Sequence, residues 1–168
     1  MSSIDKYLVQ ALDNYPYNLE DALTSLEYAL SYDENNTQAL CLYGRFLAEQ
    51  FKQYEEAKNY FQKAIQNDLQ AVGVYPYYID TLLKNEDFKE AERLIRFAFT
   101  VKGIDKFEII NKEVLLYEMQ ERYKEALKVA KQLPLYNYDV ENKTFIEDTI
   151  ERIKSKKALV SSIRKTKK

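Results

Sequence analysis

The sequence predicts an all-α fold, and three observations support that prediction. Only 3 Gly and 3 Pro occur among 168 residues, which is too few for the many turns of an all-β protein. Hydrophobic residues make up 46% of the chain and charged residues 31%, so the chain can bury a core and lacks the composition typical of disorder. A five-residue pattern also recurs at a nearly constant spacing. We therefore expect helices joined by short loops.

The recurring pattern consists of a polar residue, an apolar residue, a charged residue, an acidic residue and an alanine. It occupies residues 18–22, 53–57, 87–91 and 122–126, and its alanines are 35, 34 and 35 residues apart. The polar residue is expected to open a helix, and the acidic residues suit the positive end of the helix dipole. The small alanine lets two helices cross closely. Each pattern therefore predicts a helix start.

A second amphipathic helix is predicted before each pattern, because apolar residues recur there at helical spacing. The four apolar faces are Ile4, Tyr7, Leu8 and Leu12; Leu40, Tyr43, Gly44 and Leu47; Tyr75, Tyr78, Ile79 and Leu82; and Ile110, Val114 and Tyr117. Pro76 suits the first turn of the third of these helices. The sequence thus predicts four helix pairs.

These helix pairs resemble the tetratricopeptide repeat, a helix–turn–helix unit of about 34 residues. The best match to its pattern is Leu40-x2-Tyr43-Gly44-x2-Leu47, followed by Ala57-x3-Phe61-x2-Ala64. Leu40 stands where the family often has Trp, and Gly44 matches its small crossing residue. The resemblance implies a right-handed α-solenoid of about four repeats, near residues 3–35, 36–71, 72–105 and 106–138, which together form one array over residues 1–138.

The chain departs from the family pattern at three features, one of which is that the family's terminal Pro is absent from the first three repeats. The glycine of the turn inside each repeat is replaced by Lys52, Glu86 or Glu121. The two spacings of 35 residues require an extra residue, which we place at the turn between the two helices of a repeat.

Residues 139–168 are predicted to form a C-terminal capping helix with a basic tail. Asp139 is the expected N-cap. A single amphipathic helix after the last repeat usually shields the end of the stack. Its apolar face comprises Phe145, Ile146, Thr149, Ile150 and Ile153.

The charge is unevenly distributed along the chain. Residues 152–168 contain eight Lys or Arg and no Asp or Glu, whereas residues 1–151 contain 17 basic against 27 acidic residues. Three interpretations of the tail stay open: a solvated helix end, docking on an acidic surface of a partner or of the chain itself, and binding of nucleic acid or anionic lipid. The candidate contact residues are Lys154, Lys156, Lys157, Arg164 and Lys165.

Catalysis is not expected, because the chain has no histidine, the commonest general base and metal ligand. The one cysteine, Cys41, falls within a predicted helix, and no sequence motif for metal, nucleotide or phosphate binding occurs. We expect no metal and no cofactor. No run of 18 apolar residues and no secretion signal occur, so we expect no membrane span and a cytoplasmic location.

The function predicted from the resemblance is that of a protein–protein interaction adaptor or scaffold. The first helix of each repeat would line a concave face that binds a partner peptide, helix or protein. Lys, Asn and Arg grip a partner's C-terminal carboxylate in some members, but here Tyr7, Ala11, Cys41 and Tyr77 take matching positions, so this mode is not expected. Nucleic-acid binding through the tail is the less favoured alternative, and self-association by end stacking is a third. The concave-face candidates are Cys41, Leu42, Arg45, Glu49, Tyr77, Asp80, Lys84, Asn111, Leu115 and Glu118.

Overall fold

The protein is all-helical in a computed structural model that describes residues 3–137 and 139–166, without the side chains of residues 3–5, 165 and 166. Helix accounts for 78% of the structure, with no strand in the described residues, which confirms that the protein is all-α. The chain divides into two compact units, Met1–Asp87 and Phe88–Lys168. Each unit is described by itself.

The first unit contains five α-helices in its described part. Helix α1 packs against α2, and α3 packs against α4. The core includes Leu8, Ala11, Leu26, Leu42 and Phe46. The helices are α1 (Ser3–Asn14), α2 (Leu19–Tyr32), α3 (Thr37–Phe46), α4 (Tyr54–Asn67) and α5 (Val74–Lys84), and a π-helical turn (Leu47–Phe51) continues α3.

The second unit contains four α-helices in its described part. Helix α8 packs against both α7 and α9, around a core that includes Ile110, Val114, Ala130, Leu133 and Ile146. The helices are α6 (Phe88–Ala98), α7 (Lys106–Met119), α8 (Tyr123–Ala130) and α9 (Val140–Thr166), with a 3-10 turn at Leu133–Leu135.

The recurring five-residue pattern starts a helix in all four places, as predicted. Helices α2, α4, α6 and α8 begin at the apolar residue of the pattern. Asn18 caps α2, because its side chain accepts a hydrogen bond from the Asp21 N–H. The alanine of each pattern is buried, consistent with the close helix contact that its small size predicts.

Gly44 lies at a close contact between α3 and α4, as the sequence predicts. A Cβ atom at this position would come within 3.0 Å of the Phe61 ring and 3.2 Å of the Ala57 carbonyl oxygen. Such distances are shorter than ordinary van der Waals contacts, so a side chain here would force the two helices apart.

The three residues that replace the family's turn glycine adopt a left-handed backbone conformation. Lys52, Glu86 and Glu121 have φ values of 59, 60 and 56°. For residues with a Cβ atom this conformation costs roughly 1–2 kcal/mol. Each of these turns therefore has the geometry that a glycine would adopt without that cost.

The extra residue of the first 35-residue spacing lies in the π-helical turn at the end of α3. This turn lies between α3 and α4, the two helices of the pair, which is where the sequence predicts the extra residue. A π-helical turn holds one more residue than an α-helical turn. The hydrogen bond that closes this helix end, from the Gln53 N–H to the Leu47 carbonyl, spans six residues. The equivalent bonds from Asp87 to Leu82 and from Arg122 to Tyr117 span five.

A cation is buried between two carboxylates where α4 meets the end of the first unit. The Lys58 ammonium lies 2.8 Å from Glu55 Oε1 and 2.7 Å from Asp87 Oδ2, and only 12% of its side chain is exposed. The Asn85 amide donates hydrogen bonds to both carboxylates. This cluster fixes the chain on both sides of the left-handed residue Glu86.

Helix α9 begins as predicted and continues through the basic segment. The Asp139 carboxylate accepts a hydrogen bond of 2.8 Å from the Asn142 N–H and caps the helix. Ile146, Thr149 and Ile153 are buried and Ile150 is half-buried, which confirms these four positions of the predicted apolar face, whereas Phe145 is 45% exposed. Residues 154–166 extend the same helix.

Candidate functional site

A cavity of about 470 Å³ opens beside α3 in the first unit. We call it the Arg45 cavity. Its volume lies within the usual range for binding pockets, and its lining is mainly apolar with a few polar groups. Helix α1 contributes Leu12, α3 contributes Thr37, Gln38, Cys41, Leu42 and Arg45, the connection from α4 to α5 contributes Asp68, Gln70, Ala71, Val72 and Gly73, and α5 contributes Val74.

The walls of the Arg45 cavity are fixed by local hydrogen bonds. Asn36 caps α3, because its side chain accepts a bond of 2.9 Å from the Ala39 N–H. In the opposite wall, Asp68 Oδ1 accepts a bond of 2.8 Å from the Gln70 N–H. The Tyr75 hydroxyl donates a bond of 2.7 Å to the Leu69 carbonyl, so the connection is anchored to α5.

The Arg45 guanidinium lies between two tyrosine rings. Its carbon atom is 4.0 Å from the centre of the Tyr77 ring and 5.0 Å from that of Tyr15. A guanidinium over an aromatic face is stabilised by the ring quadrupole. These contacts hold Arg45 in one orientation and join three segments of the first unit at the cavity.

Glu49 connects Arg45 to Tyr15. Its Oε1 lies 3.3 Å from Arg45 Nε, and its Oε2 accepts a hydrogen bond from the Tyr15 hydroxyl. Burial and the bond to Glu49 raise the pKa of Tyr15 to about 12, so this hydroxyl keeps its proton at neutral pH. Among the described residues, no group accepts a hydrogen bond from the two Nη atoms of Arg45, which remain available as donors.

Cys41 is a half-buried wall residue of the Arg45 cavity. Burial raises the pKa of its thiol to about 12. The thiolate is the nucleophilic form of cysteine, and it is negligibly populated at neutral pH with such a pKa. The geometry therefore gives Cys41 a packing role in the wall.

The concave-face candidates of the first unit fall into two groups. Cys41, Leu42 and Arg45 line the cavity. Glu49 and Tyr77 are not part of the lining but contact Arg45, Glu49 through an ion pair and Tyr77 through its ring. Leu42 is almost fully buried in the core, so its contribution to a bound partner is limited. The cavity lining does not include the two remaining candidates, the half-buried Asp80 and the exposed Lys84.

The candidates on α7 do not share one accessible surface. Leu115 is 40% exposed and Asn111 is half-buried. Glu118 is only 7% exposed, and its carboxylate is held by two residues of α9. Arg152 donates bonds of 3.1 and 2.9 Å to it, and Lys156 donates one of 2.6 Å. The Glu118 carboxylate is therefore occupied within the chain.

The tail candidates are partly neutralised by acidic residues of their own unit. Lys156 binds Glu118, Arg164 lies 3.7 Å from Glu121, and Lys154 lies 3.7 Å from Glu151. Lys157 and Arg164 line a shallow groove of about 210 Å³ against the start of α8. The side chain of the remaining candidate, Lys165, lies outside the described residues.

Sequence reasoning missed half of the cavity. The sequence predicts no role for the connection Asp68–Gly73, and it predicts Leu12 on the packing face of α1, whereas Leu12 is 47% exposed. Tyr15 lies beyond the predicted helix face. The run from Ala71 to Val74 contains a usable signal, because it is apolar apart from one glycine. Such a run is expected to contact other parts of the protein and not to lie fully in solvent.

Comparison with models of protein families found no match for the chain, and a search among curated proteins found none either.

Within the described residues, no group of three or more His, Cys, Asp or Glu side chains could hold a metal ion. No helix in residues 3–137 and 139–166 combines the length and the apolar character needed to cross a bilayer.

Proposed function

We propose that this protein is a non-enzymatic adaptor that binds a peptide or helix of a partner protein in the Arg45 cavity. The observation that carries the proposal is the cavity itself, whose mainly apolar walls meet a guanidinium that is fixed by two rings and retains free donors. Recurring peptide-recognition sites combine pockets for apolar anchors with a few placed polar groups. The cavity offers both.

The partner segment is defined by the chemistry of the cavity. An apolar side chain would occupy the space between Leu12, Val72 and Val74. An oxygen acceptor of the partner, such as a backbone carbonyl, would accept hydrogen bonds from the Arg45 Nη atoms. Burying one leucine-sized side chain contributes about 1.5–3 kcal/mol, so a segment with one anchor would bind weakly unless further contacts surround the cavity.

The proposal includes membership of the tetratricopeptide-like α-solenoids, with four repeats over residues 1–138 and a capping helix over residues 139–168. Two features support it. The same pattern opens α2, α4, α6 and α8, and the three turn positions that correspond to the family's glycine are left-handed. A cytoplasmic location remains a prediction of the sequence.

Nucleic-acid binding through the basic tail is less well supported than the adaptor role. Arg152 and Lys156 are committed to a buried carboxylate, and Arg164 lies beside Glu121. Phosphate groups would have to compete with these carboxylates. The favourable free energy of counterion release on binding would therefore be offset by the cost of breaking the internal ion pairs.

Selection of binding peptides from a displayed random library tests the proposal even though the partner is unidentified. Gly73→Trp is the informative variant, because a Cβ atom at Gly73 meets no atom within 4 Å while the residue lines the cavity. The indole should obstruct the cavity without disturbing the fold. Gln66→Trp, at an exposed position of α4 outside the cavity lining, is the matched control.

We expect selected peptides to share an apolar anchor and to lose binding to Gly73→Trp but not to Gln66→Trp. Arg45→Ala and Tyr77→Ala should weaken the same peptides while the helical circular dichroism signal stays unchanged. Peptides that bind all four variants as they bind the unmodified protein would refute the cavity as the binding site.

A further inference from the structure

The two units of the chain carry opposite net charges. Residues 1–87 contain 14 Asp or Glu against 6 Lys or Arg, whereas residues 88–168 contain 13 against 19. The first unit is therefore at −8 and the second at +6. Surfaces with opposite charge steer association and favour one relative orientation. Two copies of this chain can satisfy that preference by pairing the first unit of one copy with the second unit of the other.

The second unit presents an exposed apolar pair within its most basic segment. Leu159 is 60% exposed and Ile163 is 45% exposed. They are four residues apart, so they lie on one side of α9, one turn from each other. Lys154 and Lys156 precede them, and no acidic residue occurs from position 152 onward. The segment combines an apolar anchor with positive charge.

The first unit presents a matching surface around the Arg45 cavity. Leu12 lines the cavity and is 47% exposed, and Val9 is 40% exposed one turn earlier on α1. Asp13 follows Leu12, and Asp68 belongs to the cavity wall. The positive charge of Arg45 in the lining is balanced by Glu49. An apolar opening in an acidic unit suits a basic segment with an apolar anchor.

We propose that the C-terminal half of α9 from one copy binds the Arg45 cavity of a second copy, with Leu159 as the anchor. This inference rests on the proposed peptide-binding role of the cavity and names one occupant for it. It differs from end stacking, because the contact joins a cavity to a helix side. The contact is heterologous, so in a pair one copy keeps an unused cavity and the other keeps an unused segment, and association continues into open chains unless the rotation between copies closes a ring.

Two full-length variants that each lack one half of the contact provide the test. Gly73→Trp obstructs the cavity and keeps the segment, whereas Leu159→Glu keeps the cavity and places a carboxylate on the anchor. Val140→Glu is the matched control for the second variant, because Val140 is 84% exposed at the opposite end of α9. Sedimentation velocity at several concentrations measures association.

We expect the unmodified protein and Val140→Glu to associate with increasing concentration. Gly73→Trp and Leu159→Glu should each associate at least about tenfold more weakly, since one anchor is lost. An equimolar mixture of the two variants should form a dimer that does not grow, because the mixture contains one intact cavity and one intact segment per pair. Association should also weaken as salt rises, because salt screens the opposite charges.

Three results would overturn the proposal: an unmodified protein that stays monomeric up to about 1 mM, where weak complexes still form; association that neither variant changes; and variants whose mixture forms no dimer. If the protein bound anionic vesicles through Leu159 and did not self-associate, the proposed contact between copies would likewise be replaced by a contact with lipid. Peptide selection tests the cavity independently. Peptides that require an open cavity, together with a monomeric protein, would leave the adaptor role intact and refute self-recognition alone.

Discussion

The two units bury charge in mirror-image ways. In the acidic first unit, a cation, Lys58, lies between the carboxylates of Glu55 and Asp87. In the basic second unit, an anion, Glu118, lies between Arg152 and Lys156. Each unit therefore surrounds its minority charge with two residues of the majority sign. A buried charge needs partners of opposite charge. Residues of the majority sign are the more numerous in each unit, so a buried charge of the minority sign finds such partners more easily.

The two clusters differ in how easily the central charge can return to water. Lysine has a long aliphatic stem and can extend its ammonium to solvent, whereas the glutamate side chain is short. The Glu118 side chain is only 5% exposed, while those of Arg152 and Lys156 are both 49% exposed. The central charge is thus more strictly dependent on its partners in the second unit.

The largest effect is expected when the central anion loses both partners. The double change Arg152→Met and Lys156→Met should destabilise the second unit by about 3 kcal/mol, because it leaves a buried carboxylate without a counter-charge. Urea unfolding followed by circular dichroism measures the loss. The equivalent change in the first unit, Glu55→Gln with Asp87→Asn, should cost less, since Lys58 can reach solvent. Equal losses in the two units would contradict the mirror-image comparison.

Removal of the central charge itself should have a smaller effect. Lys58→Met and Glu118→Met each replace a buried charge with an apolar side chain of similar length, and the remaining partners can turn to water. Removal of one member of an ion pair is costly when the charge left behind is buried, but the partners left here are partly exposed, so we expect changes within about 1 kcal/mol. Adding Glu118→Met to the double variant of the second unit should restore most of its stability. A loss that persists would mean that packing, and not charge, holds α9.

Acid should loosen the second unit through Glu118. Burial alone would raise its pKa, but hydrogen bonds from Arg152 and Lys156 outweigh burial, and the pKa lies below its ordinary value of 4.5. A carboxylate with a lowered pKa contributes stability above its unfolded-state pKa, and this contribution is lost as pH falls through the folded-state value. The stability difference between the protein and Glu118→Gln should therefore shrink as pH is lowered from neutral to about 3.

The comparison with Glu118→Gln also removes an opposing contribution. Burial raises the pKa of Glu113 in the same unit, so protonation of Glu113 stabilises the folded state as pH falls. Both proteins contain Glu113, and its contribution cancels in the difference. A difference that is constant with pH would show that Glu118 does not titrate with folding.

The smallest effects are expected at the left-handed residues. Glu86→Gly should stabilise the first unit by up to about 1 kcal/mol, because glycine adopts a positive φ without steric cost. Glu121→Gly should stabilise the second unit less, since it also removes the contact of Glu121 with Arg164. Lys84→Gly, at the last residue of α5, is the control and should cost up to about 1 kcal/mol. Thermal unfolding of the three variants gives the order.

The helices could be predicted from the sequence because their signals are local. The polar residue that opens each pattern, the buried alanine and the Asp139 cap act over a few residues and do not depend on distant contacts. The resemblance placed Lys52, Glu86 and Glu121 at turn positions, but their left-handed conformation was not predicted, because a lysine or glutamate alone gives no signal for it. The π-helical geometry could not be predicted, because a spacing of 35 residues shows that a residue is added but not how the backbone absorbs it.

The candidate site could be predicted only on α3, which carries five of its twelve lining residues. Cys41, Leu42 and Arg45 follow from helical spacing, since they lie on one side of α3. The connection from Asp68 to Gly73 and the exposed position of Leu12 depend on how three segments meet, which no local pattern encodes. The burial of Glu118 was missed for the same reason, because its partners lie 34 and 38 residues away.

The π-helical turn at Leu47–Phe51 gives the chain a tolerance to changes in length. Adding one residue to an α-helix rotates everything after it by about 100°, which would present the wrong side of the next helix to its neighbours. Here the added residue widens a single turn, and α4 still begins at the usual point of its pattern. We therefore expect the fold to accept the insertion or deletion of one residue in this turn, because the helices that follow keep the same side toward their neighbours.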